Sequence, residues 1–210
     1  GSGWTSANKK WGAGALMFNG TNGYVTIPDN DNLDLSNAGT IETWASDPAR
    51  GALHFLIAKG SSDAGTNTQY QLMIDSDGRV IFRWGDDDNT IISINKVPTG
   101  QWTYIVATYN ASHVKIYING RLDNSKSWTK NASANAGPLW IGYRGDGNFS
   151  LAGYMDSTRI YNRALSATEI LNNYDGTTVS PTPTPALSPT PAVGEVLHDD
   201  TDLVAQWDFN

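Results

Sequence analysis

Residues 103–120 read TYIVATYNASHVKIYING. Within them TYIVATYN and VKIYING both alternate with the two-residue period of a β-strand. In the first run Ile105, Ala107 and Tyr109 fall on one face and Tyr104, Val106 and Thr108 on the other. Both faces are apolar enough to belong to a sandwich strand, covered on at least one side. Working outward, QLMIDSDGRVIFRW (71–84) places two apolar runs around Asp75-Ser76-Asp77-Gly78, a hairpin with Gly78 suited to positive φ. ALMFNG (15–20) and YVTIP (24–28), separated by Thr21-Asn22-Gly23, predict a second hairpin. PLWIGY (138–143) and LAGYMDSTRIYN (151–162) complete a set of about ten to thirteen strands. One helix is predicted over 167–174, opened by the capping box Ser166-Ala167-Thr168-Glu169. The expected fold is all-β: an antiparallel two-sheet β-sandwich with jelly-roll connections and one short helix.

Composition agrees. The 210 residues include 21 Gly, 8 Trp, 9 Tyr and 5 Phe, a balance that favours strands and turns. The 14 basic and 21 acidic side chains give a net charge of −7, which argues against a nucleic-acid or anionic-membrane partner. Cysteine is absent, excluding disulfides, thiolate metal sites and thiol nucleophiles. No apolar run approaches the roughly 18–20 residues that span a bilayer. The opening Gly1-Ser2-Gly3 carries no export signal, so any such signal is expected outside this stretch.

The chain divides into three parts. Residues 1–175 form the body. Residues 176–198 are a linker, containing TTVSPTPTPALSPTPAVG, whose alternating Pro and Thr favour extended polyproline II over any core. Residues 199–210 form a tail without Lys or Arg, in which Leu203, Ala205, Trp207 and Phe209 alternate with Val204, Gln206 and Asp208 as in a strand.

ALMFNGTNGYVTIP, TIETWAS, QWTYIVATY, KIYINGRL, LWIGYR and LAGYMDSTRIYNRALSATEI occur in that order across residues 11–174. Together they resemble the laminin-G-like, concanavalin A-like jelly rolls of secreted proteins, Gly153–Ile170 being the most specific stretch. The resemblance implies two curved sheets packed face to face, carbohydrate or protein ligands, an extracellular location, and calcium in some members. For such an ion it points to Asp156, in GYMD, with Asn19.

One departure stands out. The apolar first strand of such domains is missing before the Gly-rich opening GSGWTSANKKWGAG, and its equivalent, LVAQWDFN, ends the chain. The empty place must be filled by this chain's tail, by a neighbour's tail or by the next repeat of a longer chain. A stiff spacer suits reaching another body. The expectation is therefore that Leu203, Ala205, Trp207 and Phe209 complete a neighbouring body.

Other constellations are weak. Glu42 has no acidic partner at strand spacing, and His54, His113 and His198 are scattered, so no catalytic residue is assigned. Asp29–Asp34 and Asp86–Asn89 read as solvated turns. Exposed aromatics beside polar loops suit a glycan, which marks Trp84, Asp86, Trp128, Tyr143 and Arg144 as candidate ligand residues. Sequons begin at Asn19, Asn110, Asn131 and Asn148, and the Pro/Thr stretch suits O-glycosylation. The expected function is a structural subunit or repeat of an extracellular filament or cell-surface protein, joined head-to-tail to copies of itself through the C-terminal strand. The alternative is a carbohydrate-binding or adhesion module. No enzymatic activity is expected.

Overall fold

A computed structural model describes residues 2–46, 51–60, 68–85, 90–144, 149–176 and 202–207. The first strands are β1 (Ser2–Thr5), β2 (Ala15–Asn19), β3 (Val25–Ile27), β4 (Gly39–Ser46), β5 (His54–Gly60), β6 (Thr68–Ile74) and β7 (Arg79–Trp84). They are followed by β8 (Thr90–Lys96), β9 (Thr103–Tyr109), β10 (His113–Ile118), β11 (Arg121–Ser127), β12 (Leu139–Ile141) and β13 (Ala152–Tyr161). Helix α1 (Ala167–Asp175) precedes β14 (Leu203–Trp207). The larger sheet has the order β1-β2-β13-β4-β9-β10-β11, with β14 also on β13; the smaller runs β3-β12-β5-β6-β7-β8. Every pairing is antiparallel. The architecture is the two-sheet sandwich that strand periodicity predicts.

The core lies between the sheets. Leu72, Ile74, Val80, Phe82 and Trp84 of the smaller sheet share one buried cluster with Ile105, Ala107, Tyr109, Val114, Ile116 and Ile160 of the larger. Each such side chain contributes on the order of 1.5–3 kcal/mol by leaving water. Tyr104 and Val106, the alternate residues of β9, point to the other side and build a second buried cluster. That two-faced burial is the one alternation predicts for residues 103–109.

Gly78 adopts φ 88° in the β6–β7 hairpin, where its N–H donates to the Asp75 carbonyl at 3.0 Å. Strands β9 and β10 pair in the same way. The expected hairpin of residues 15–28 does not form: β2 lies in the larger sheet and β3 in the smaller. Asn19 Oδ1 accepts the N–H groups of Thr21, Asn22 and Gly23, which folds the connection into a turn between layers. Helix α1 has the predicted capping box, Ser166 accepting from Glu169 N and Glu169 reaching back to Ser166 N, and it stops at Gly176 with φ 69°.

Within the chain, residues 203–207 lie against the chain's own body. β14 pairs with β13 through Thr158–Trp207, Arg159–Gln206, Ile160–Ala205 and Tyr161–Leu203. On the same side of β13, β2 pairs with residues 152–155. β14 and β2 therefore lie end to end along one flank of β13 and run in the same direction. The expected donation to a neighbouring body is not what this single chain displays. A bulge at Val204 also breaks the expected alternation. Val204 and Ala205 pack against the main core, while Leu203 joins the outer cluster under α1. Nothing is described of the Trp207 side chain, and Phe209 lies outside the described residues.

Candidate functional site

Alternation decides which side chains the smaller sheet turns to its outer face. Leu139 and Ile141 enter the core, so Trp140 points outward; Val25 and Ile27 pack inward, so Thr26 points outward. Directly opposed residues share a face, which produces the row Thr26–Trp140–Ala58–Gln71–Arg83–Thr90 across all six strands. At about 4.8 Å per strand the row spans roughly 24 Å. A parallel apolar row, Phe55–Met73–Ile81–Ile92, lies beside it. Phe55, Ala58 and Met73 are buried there, with Leu53, Ile81 and Trp140 packed around them.

At the β3–β12 edge three aromatic rings meet. Tyr24 stacks on Tyr143 with centroids 5.1 Å apart, and Trp140 stands edge-on to both, at 5.3 Å from Tyr24 and 5.5 Å from Tyr143. Gly142 makes this possible. At φ 77°, with its Cα side against Phe18, where an added Cβ would lie 2.3 Å from the ring, it turns the chain out of β12 so that Tyr143 returns to the cluster. Tyr24 is 42 % exposed. Beyond Tyr143, the Arg144 guanidinium lies 4.6 Å from the Phe149 ring centroid and 5.5 Å from that of Phe55. Further along the row Arg83 donates to Gln71 Oε1 at 2.9 Å and to Thr90 Oγ1 at 3.4 Å. Gln71 is itself buried, so the groups offered outward are the Tyr24 ring and the guanidinium beside it; such a platform can stack against a C–H-lined ring and hydrogen-bond its hydroxyls.

Two of the residues singled out from sequence, Tyr143 and Arg144, belong to this group. Trp84 does not: it is 1 % exposed, with its ring 4.5 Å from Tyr109, because the β7 alternation sends Val80, Phe82 and Trp84 inward. Trp128 packs against the main core just past β11, between the ammonium groups of Lys126 and Lys130 at 5.4 and 5.7 Å, away from the platform. Asp86 lies outside the described residues. Tyr24, Trp140, Phe149, Gln71 and Arg83 escaped the sequence reading. The available signal was Trp140 between inward Leu139 and Ile141, a register position rather than a motif.

The structure does not bring Asp156 and Asn19 together. Asn19 pairs with Ala152, four residues from Asp156 and so about 13 Å along β13. Asp156 Oδ2 accepts Lys10 N at 3.0 Å and Trp11 N at 2.9 Å, pinning the N-terminal loop, while Asn19 Oδ1 holds its own turn. Burial raises the Asp156 pKa, and the N–H donors of Trp11, Lys10 and Ser157 partly offset it. The Asp29–Asp34 stretch is more than a solvated turn. The buried Lys59 ammonium contacts Asp29 Oδ1 at 2.6 Å and Asp34 Oδ1 at 3.4 Å, with the Gly137 and Asn135 carbonyls at 2.8 and 2.9 Å. A built-in cation thus gathers these loops. Of the sequons, Asn19, Asn110 and Asn131 are exposed, and Asn148 lies outside the described residues.

The outer face of the larger sheet is closed. Trp44, Tyr104, Val106, Tyr117, Tyr161, Leu165 and Ile170 are buried there beneath α1. Glu42, fully buried, accepts hydrogen bonds from Tyr104 Oη, Arg159 (2.9 Å), Asn173 (3.1 Å) and Tyr161 Oη (3.4 Å). Burial, then the Glu42 charge and hydrogen bond, push the Tyr104 pKa well up. Glu42 ties α1 to three strands.

A family model described as the concanavalin A-like lectin/glucanases superfamily, of laminin G type, matches residues 19–171, and the chain belongs to that family. No curated protein sequence matches the chain. Among solved structures, the binding domain of Paraclostridial Mosquitocidal Protein 1 aligns with TM-score 0.67 at 19% identity, over 84% of this chain and 46% of that one. The Botulinum neurotoxin serotype G binding domain aligns with TM-score 0.64 at 16% identity, over 86% and 46%. The chain thus spans about half the length of these two. Domain 4 of AbnA, a GH43 extracellular arabinanase from Geobacillus stearothermophilus solved with arabinotriose, aligns with TM-score 0.64 at 19% identity, over 82% and 80%. At these identities the likeness is one of fold.

Proposed function

We propose that the chain is a glycan-binding adhesion module of a secreted or cell-surface protein, working as one of several linked copies. The observation that carries this is the Tyr24–Trp140–Tyr143 platform on an outer sheet face, with Tyr24 open to solvent and Arg144 alongside. The arabinanase domain of the same fold, solved with arabinotriose, supports the ligand class. The exposed sequons and the Pro/Thr stretch support an extracellular setting. The module binds and does not cleave. The buried Glu42 carboxylate is engaged by four side chains under α1, and glycoside cleavage needs two carboxylates flanking an accessible bond.

A panel of immobilised linear plant and microbial glycans tests the reading, probed with the full chain and with Tyr24→Ala/Trp140→Ala. Binding to at least one glycan, lost at least tenfold in the double variant at unchanged secondary structure, is the expected result. Equal binding by both proteins would place the ligand elsewhere, and no binding to any neutral or anionic glycan would end the reading.

A further inference from the structure

The geometry points to strand exchange between copies: residues 203–207 of a second copy of this chain can occupy the place beside β13 that the chain's own β14 fills. This rests on the reading of the module as one of several linked copies. Three features of the docked strand carry it.

First, β14 is held at one flank only. Its ladder partners are residues 158–161 of β13, and among the described residues no other strand pairs with it. Around its start, Asp202 Oδ2 meets Arg163 Nε at 2.6 Å, and Asn162 N donates to the Asp202 carbonyl at 3.0 Å. Those contacts, with Val204 and Ala205 against the core and Leu203 under α1, involve only the body and residues 202–207. A copy arriving from outside would make them all equally well, which is the condition for a low-cost swap.

Second, the connection imposes little preference. Five prolines lie in residues 177–201, and a stretch of that length in polyproline II reaches about 75 Å. A body of this size is roughly 40 Å across. The strand's own body and a neighbouring one are therefore both within reach.

Third, the place needs an occupant. β14 and β2 lie end to end on the same flank of β13, and without 203–207 the backbone of residues 158–161 would form an open edge beside apolar Ile160. An exposed edge with an apolar margin recruits another strand.

The absence of native cysteine makes a direct test available. Ile160 and Ala205 are register partners, and directly opposed antiparallel residues lie within disulfide reach. One full-length chain carries Ile160→Cys and a second carries Ala205→Cys. They are co-expressed, oxidised and run on a non-reducing gel. The expected result is a reducible band at the mass of two chains. In the Ile160→Cys/Ala205→Cys chain, larger multiples should grow with protein concentration. Cross-linking confined to the monomer of the doubly substituted chain, with no band from the co-expressed pair, overturns the exchange. Light scattering of the unsubstituted chain is the independent measure: a single monomer mass at every concentration overturns the exchange, and a concentration-dependent dimer or series supports it. None of these outcomes depends on glycan binding, so failure here leaves the lectin reading to its own assay.

Discussion

The aromatic groups on the two outer faces of this sandwich are built on the same kind of alternating strand yet differ in how far they are covered. On the larger sheet, α1 and the loop carrying Lys10 and Trp11 lie over the aromatic residues, with Trp44 stacked against Tyr174 at 5.6 Å and the Lys10 ammonium 4.0 Å from the Trp44 ring centroid. The buried Glu42 carboxylate there is engaged by several hydrogen-bond donors. On the smaller sheet the aromatic cluster stays at the β3–β12 edge, with Tyr24 half open. Aromatic content alone therefore does not distinguish a binding face from a buried one. What distinguishes them is whether another segment of the chain has already taken the surface.

The sharpest way to break the contrast is at Glu42. Glu42→Ala removes the acceptor shared by Tyr104, Arg159, Tyr161 and Asn173 and should cost about 3–5 kcal/mol in denaturant unfolding. Glu42→Gln, which keeps an acceptor, should cost distinctly less. Neither change should alter glycan affinity if the closed face is purely structural.

On the open face the expected effects reverse. Tyr24→Ala should lower glycan affinity about tenfold, measured by calorimetry, while unfolding free energy shifts by less than about 1 kcal/mol, as befits a partly exposed ring. A stability loss without an affinity loss would show the platform to be packing alone.

Asp156 sets how the N-terminal loop covers the closed face. Its folded pKa is raised, so protonation is favoured in the native state. The ionised form is the costly one at neutral pH, and its cost is relieved as the pH falls through the raised folded value. Asp156→Asn keeps an acceptor for Lys10 N and Trp11 N without the charge. It should therefore be neutral or slightly stabilising at pH 7, and its advantage over the parent should shrink on acidification. Asp156→Ala should cost about 1–3 kcal/mol by orphaning both N–H groups.

The smallest effect is expected at Glu169. Burial acts to raise its pKa, but hydrogen bonds from Arg163 and Ser166 outweigh this and hold it below the usual carboxylate value. The stability it supplies is thus present above the unfolded pKa and lost as pH falls through the folded one. Glu169→Gln should cost about 0.5 kcal/mol, detectable as earlier thermal unfolding of α1.

Much of this molecule was legible in its sequence. The strands, the β6–β7 hairpin with Gly78, the two-faced β9 and the capped helix follow from period-two alternation and turn chemistry, which act within a few residues. The sites were less legible. Trp84 and Tyr143 are both aromatics near turns, and only the register of β7 and the turn at Gly142 send one between the sheets and the other, itself largely buried, against Tyr24 and Trp140 on the outer side. The Asn19–Gly23 turn resembles a hairpin connection in sequence, yet it passes between layers, because pairing partners are chosen across the whole sheet. Asp29 and Asp34 looked like solvated turn residues because Lys59 lies far from them in sequence.

Sequence by itself determined that this chain makes an antiparallel sandwich, that a Pro/Thr stretch separates its last strand from the body, and that this strand's chemistry suits a buried sheet. Only the tertiary structure decided where that strand docks, which aromatics stay at the surface, and which carboxylates are committed to internal partners. The physical reason is range. Backbone propensity and alternation are local, whereas burial and hydrogen-bond partners are settled by residues more than a hundred positions apart, such as Glu42 and Arg159 or Asp156 and Lys10.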